Sequence, residues 1–182
     1  MNNWVKSIVV VIPLAGAVTL PVFAEEPATR EEAPKQESID FRKLRDILPE
    51  KLGDLARTGR EGSRNRVGEF SISQAESLYG KDDDKNASIQ LMDYGPNNPA
   101  AAMFAHLGQV EIDRETENEY ERSVKVEGAP GIERYNSEDK EGSLQLYVAE
   151  RFVLNFSASG ISKDEFQALI KDLPIKALAE LK

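Results

Sequence analysis

Ser143-Leu144-Gln145-Leu146-Tyr147-Val148-Ala149-Glu150-Arg151-Phe152-Val153-Leu154-Asn155-Phe156-Ser157-Ala158-Ser159 is the stretch that decides the fold. Leu144, Leu146, Val148, Phe152, Leu154 and Phe156 all fall on even positions, the period-two alternation of half-buried strands. A three-residue loop at Ala149 to Arg151 pairs Val148 with Phe152 and keeps both apolar runs on one face, whereas a two-residue loop sets them on opposite faces. The longer loop, or one bent strand, is therefore expected.

Downstream, Phe166, Leu169, Ile170 and Leu173 make an apolar stripe on a helix that starts at Ser162, and Pro174 splits it from a second stripe of Ile175, Leu178 and Leu181. Upstream, Ala129 to Asn136 and Val110 to Val126 read as extended segments. Asn98 is a good N-cap, Pro99 suits the first helical position and Gly108 the stop, so Ala100 to Leu107 reads as a helix. Ala87 to Tyr94 and the neighbourhood of Phe70 and Ile72 read as strands, joined by a polar hairpin loop from Gly80 to Asn86. Arg57 to Arg66, with Gly59 and Gly62 inside it, reads as a strand end and turn, and Asp40 to Leu48 as a short amphipathic helix stopped by Pro49. The sum is an α+β class, a mostly antiparallel sheet of about six strands with helices packed on one face.

At the N-terminus, Lys6 precedes an apolar run from Ile8 to Phe23 that ends Val22-Phe23-Ala24 before Glu25-Glu26, the layout of a cleaved secretory signal. Pro13, Gly16 and Pro21 interrupt the roughly 20 apolar residues that a membrane anchor requires. The expected organisation is a signal peptide over 1–24, a disordered leader over 25–38 without large aliphatic side chains, and one domain over 39–182. The product is expected in the periplasm or outside the cell, soluble after cleavage near Ala24, with no membrane insertion thereafter. The end of the chain, Leu146-Tyr147-Val148, Arg151-Phe152-Val153, Gly160, Leu173 and Leu178, resembles the ends of uncharacterised exported bacterial proteins with a small α+β domain. That resemblance implies no activity and no site residues.

Of the 182 residues none is Cys and one is His, which excludes disulfides, thiolate metal sites, cysteine nucleophiles and two-histidine metal motifs. A formal net charge of −9 opposes nucleic-acid binding. No Gly-x-Ser-x-Gly elbow or glycine-rich phosphate loop occurs, and aromatic residues are only 7%, fewer than sugar-cleaving clefts usually offer. His106 fits the last turn of its helix, where an imidazolium complements the dipole.

Three charged constellations remain. Arg57, Arg60, Arg64 and Arg66 cluster around one acid, Glu61, and could fork onto the carboxylate or phosphate of a small anionic ligand or partner protein, or pair internally with the acidic stripe of residues 111–121. Asp82, Asp84, Asn86 and Asp93 share the spacing of a calcium loop, but Ala87 stands where that loop wants Gly. They support at most weak calcium binding, with no other cofactor, beside the plainer reading of a solvated hairpin tip. Glu111, Asp113, Glu115, Glu117, Glu119 and Glu121 would put six carboxylates on one side of an extended chain, a repulsion that favours a turn near Arg114 to Asn118 or a basic partner. The expected function is an exported non-catalytic binding or interaction domain. The alternative is a carboxylate- or calcium-dependent hydrolase.

Overall fold

The segment 143–159 forms a hairpin at the centre of a nine-stranded antiparallel sheet, with Val148 opposite Phe152 across the three-residue loop. The computed structural model describes residues 37–81, 84–96 and 98–181, with Val67 described by its backbone alone. The signal and most of the leader lie outside these residues. The strands are β1 (Lys51–Leu52), β2 (Leu55–Val67), β3 (Phe70–Lys81), β4 (Lys85–Asp93), β5 (Asp113–Glu115), β6 (Glu119–Val126), β7 (Ala129–Asn136), β8 (Glu141–Val148) and β9 (Phe152–Ser159). Their spatial order is β1-β2-β3-β4-β9-β8-β7-β6-β5, which makes β9 the middle strand. The helices are α1 (Phe41–Asp46), α2 (Pro99–Ala102), α3 (Lys163–Ile170) and α4 (Ile175–Glu180), and a single 3-10 turn spans Ala105–Gly108.

This corrects the expected fold class. Nine strands replace six, the class is closer to all-β, and the helical segments cover parts of both faces rather than one. The largest single error is the 57–66 stretch, which is the body of a 13-residue strand and not a strand end and turn. Its glycines mark close approach within the sheet. A Cβ on Gly62 would stand 2.6 Å from the Phe41 ring of α1, so the missing side chain lets that helix lie down on β2. The expected helix after Asn98 is shorter as well: α2 ends at Ala102 and the chain continues as the 3-10 turn.

Alternation sorts the sheet into a closed and an open face. On the closed face Ile89 and Leu91 of β4, Leu144 and Leu146 of β8, and Leu154 and Phe156 of β9 pack under Leu44 of α1, Phe166 of α3 and Leu178 of α4. The Phe166 ring stacks on Phe156 at 5.3 Å between centroids and tilts against Tyr135 at 5.8 Å. Gly142 leaves the space that this ring occupies. On the opposite face a smaller cluster of Tyr147, Val153, Ala101 and Leu107 places α2 and the 3-10 turn over one end of the sheet only. Among the described residues no helix is long and apolar enough to cross a membrane.

Two local devices fix the helices. Ser162 and Glu165 form a reciprocal capping box at the start of α3. Glu165 also accepts a hydrogen bond from Lys85 Nζ at 2.6 Å, and that bond, with the Ser162 backbone and hydroxyl, lowers its carboxyl from 4.5 to about 2. The second device is a buried carboxylate, Glu133, which accepts hydrogen bonds from Arg122 Nη2 at 2.9 Å, Gln167 Nε2 at 2.7 Å and the Tyr120 hydroxyl, tying β6 and β7 to α3. Burial, and then the bond to Glu133, push the Tyr120 hydroxyl well up.

Two outcomes follow from this packing. Gly142→Ala drives a methyl into the Phe166 ring and is expected to cost about 1–3 kcal/mol in denaturant unfolding. Because the folded-state carboxyl of Glu165 lies below its unfolded value, its contribution is complete above pH 4.5 and is lost as pH falls toward 2. Glu165→Gln is therefore expected to flatten the acid limb of a stability-versus-pH curve across that window.

Candidate functional site

The residues singled out from sequence are dispersed by the fold. Arg57, Arg60, Arg64 and Arg66 do share one side of β2, because a bulge between Arg57 and Gly59 corrects their odd spacing. They extend over about 30 Å, however, and three are committed to the structure. Arg57 Nη1 donates to the carbonyls of Leu48 (3.3 Å) and Pro49 (3.4 Å). Arg64 donates to the Ser38 carbonyl, and Arg66 pairs with Glu37 at 2.5 Å. Arg60 is exposed and has no ion pair among the described residues.

The calcium-loop residues part in the same way. Asp82 lies outside the described residues. Asp84 is exposed in the β3–β4 turn and Asn86 lies opposite Ser159. Asp93 stands at the other end of β4, about 23 Å from Asn86, so one ion does not join the two. It is fully buried and already saturated. Arg151 Nε and Nη2 donate to its two oxygens at 2.7 Å each, and the backbone N–H groups of Ile39 and Gly95 donate at 2.6 and 2.8 Å. Beside it, Ser38 bonds to Ser71 and Ser73. Among the described residues no group of three His, Asp or Glu is placed to hold a metal ion.

His106 is exposed in the 3-10 turn, where its Nδ1–H donates to the Met103 carbonyl. The acidic stripe is broken at residues 116–118, where β5 turns into β6. Asp113 and Glu115 face the side of Arg122 and Tyr120, while Glu119 and Glu121 face the other. Arg134 Nε and Nη2 both donate to Glu121 Oε1, at 2.9 and 2.5 Å.

What the fold brings together is the open face. Strand register lays its side chains out in transverse rows from β6 through β7, β8 and β9 to β4. The first row is Glu119, Asn136, Glu141, Ser159 and Asn86. The second is Glu121, Arg134, Ser143, Ser157 and Ser88, and the third is Ser123, Ile132, Gln145, Asn155 and Gln90. Each row spans about 19 Å. Beyond the third row the face turns apolar at Tyr147, Val153 and Met92 and disappears beneath α2 and the 3-10 turn.

Three cavities share lining residues along this face and so form one trough. The largest, about 640 Å³, lies over the first two rows. A second of about 280 Å³ shares Arg134, Ser143 and Ser157 with it and reaches Gln90 and Glu76. A third of about 130 Å³ shares Glu76 and Gln90 and continues to Glu61 and Ser63 on β2. The floor is held by a one-way amide chain: Gln145 Nε2 donates to Asn155 Oδ1 at 2.9 Å, and Asn155 Nδ2 donates to Gln90 Oε1 at 3.1 Å. One row further on, the Ser88 and Ser157 hydroxyls bond at 2.9 Å.

This arrangement presents donors and acceptors that hold one another in place. The signal for it in the sequence is the amides at the outward positions Gln145 and Asn155, set between the apolar positions of the central hairpin. Comparison with protein-family models, curated proteins and solved structures finds no match for this chain.

The placement of Asp93 gives a direct test. Asp93→Ala leaves the partly buried Arg151 guanidinium and the buried N–H groups of Ile39 and Gly95 without their acceptor and is expected to cost about 3–5 kcal/mol, measured by chemical denaturation. A calcium ligand in an otherwise relaxed loop would instead lose only metal-dependent stability.

Proposed function

We propose that the chain is an exported, non-catalytic binding domain whose ligand lies in the trough of the open sheet face. The observation that carries this reading is the amide chain Gln145–Asn155–Gln90 on the three central strands, set in a continuous trough. Side-chain amides locked to one another are oriented before a ligand arrives, which lowers the entropy lost on binding. The chain also has unused ends: the side-chain NH₂ of Gln90 and the side-chain carbonyl oxygen of Gln145. A neutral ligand rich in hydroxyl or amide groups suits such a row better than an ion, because its ends offer donors and an acceptor without net charge.

Other features support the reading. The Met1 to Ala24 layout and the resemblance to exported bacterial proteins support export to the periplasm or beyond. The buried carboxylates that a hydrolase would recruit, Asp93 and Glu133, are held by Arg151 and Arg122 and line none of the three trough cavities. The arginine side of β2 supports an anionic ligand only through Arg60, since Arg57, Arg64 and Arg66 hold the chain segments next to them.

The test is a titration followed through the side-chain NH₂ resonances of Gln90, Asn155 and Gln145, with maltoheptaose and tetraglycine as neutral hydroxyl-rich and amide-rich probes. Saturable shifts at these three groups are expected with at least one probe, abolished in Asn155→Leu at unchanged melting temperature. Binding that is untouched by Asn155→Leu and lost in Arg60→Ala would place the ligand on β2 instead and overturn the reading.

A further inference from the structure

A fourth cavity, of about 990 Å³, lies at the end of the sheet where both hydrophobic clusters stop. It is separate from the trough and shares none of its lining residues. Ala129, Val148 and Ile175 reach it from the closed-face core, and Ala101 and Tyr147 from the cluster under α2. Small side chains create the space. Ala102 and Ala105 on one wall and Ala179 on the other stand where larger residues would fill it.

The rim is built from strained backbone. Among the described residues only Glu127, Lys140, Ala149 and Glu150 are non-glycine residues with left-handed φ, and three of these four line this cavity. Such conformations persist where the surroundings over-determine them and concentrate at ligand sites. The rim also carries a charge imbalance. Lys176 pairs with Glu127 at 3.1 Å, which leaves Glu150 as an exposed carboxylate without an ion pair among the described residues. Burial, and then the Glu150 charge, push the Tyr147 phenol up. The negative charge of the whole chain adds long-range attraction for cations.

We propose that this cavity is a second binding site, for a small amphipathic molecule whose apolar body lies between α2 and α4 and whose ammonium end meets Glu150. The volume is of the size that small-molecule sites occupy, and apolar surface outweighs polar surface on its walls. A carboxylate-headed amphiphile of the same length would meet Glu150 and be repelled, since Lys176 is engaged with Glu127.

The test uses decylammonium, decanol and decanoate below their aggregation limits, followed by the methyl resonances of Ala101, Ala105, Val148 and Ile175. Decylammonium is expected to shift these methyls saturably and to bind about fivefold or more tightly than decanoate. Glu150→Gln is expected to remove that preference while leaving decanol binding unchanged. Ala102→Leu and Ala179→Leu, at solvent-facing helix positions that tolerate Leu, are expected to abolish binding of all three probes without lowering the melting temperature. No methyl shift with decylammonium, or decanoate binding as tightly as decylammonium, would overturn the proposal. So would binding that survives both leucine variants.

Discussion

A fully buried carboxylate, Asp93, anchors the domain. Two nitrogens of Arg151 and two backbone N–H groups surround it, so the large penalty of burying a charge is met by charge-assisted bonds from three separate parts of the chain. Ile39 belongs to the entering segment, Gly95 to the exit from β4, and Arg151 to the loop that turns β8 into β9. The same pair stands just after Ala149 and Glu150, whose left-handed backbone costs about 1–2 kcal/mol per residue. The pair therefore holds the central hairpin's loop in a shape that its residues do not favour by themselves.

Strand register follows from that anchor. With Asp93 on the closed face, Leu91 and Ile89 of β4 must follow it there, and Gln90 and Ser88 must face the other way. A slip of one residue would bury Gln90 and expose Ile89, so the apolar core and the amide chain are two consequences of one alignment. The closed face supplies the stability that a chain without cysteine must draw from its core, through Phe166, Phe156 and the leucines beneath α1 and α4. The open face is then free to carry polar side chains in fixed positions, and only its far end is capped by α2 and the 3-10 turn.

Much of the centre was legible in sequence. The even positions from Leu144 to Phe156 pointed to a three-residue loop or one bent strand, and the structure has the loop, because a half-buried antiparallel pair writes its period directly into the residues. Asn98, Pro99, Ser162 and Pro174 marked helix boundaries through the chemistry of helix ends. The periphery was not legible. The side of β2 that faces α1 carries Arg57, Arg60, Gly62, Arg64 and Arg66, arginines and a glycine in place of aliphatics, so the period-two signal vanishes although the strand is 13 residues long. The two-residue β1 and the three-residue β5 are too short to show any period. The arginine cluster was visible but its role was not, since the partners Leu48, Pro49, Ser38 and Glu37 are supplied by tertiary contacts. Asp93 likewise looked like a loop ligand because Arg151, 58 residues away, leaves no local trace.

The absence of native cysteine permits a direct test of the two faces, since single cysteines can be placed and labelled without background. Cysteines at Ser88, Ser157 and Gln145 are set against cysteines at Ile89, Leu154 and Leu146, all in the folded protein with a maleimide of moderate size. The expected result is rapid labelling of the first three and labelling of the second three only on unfolding. Protection of Ser88, Ser157 and Gln145, together with fast labelling at Ile89 or Leu154, would contradict the register fixed by Asp93 and with it the open face as a site.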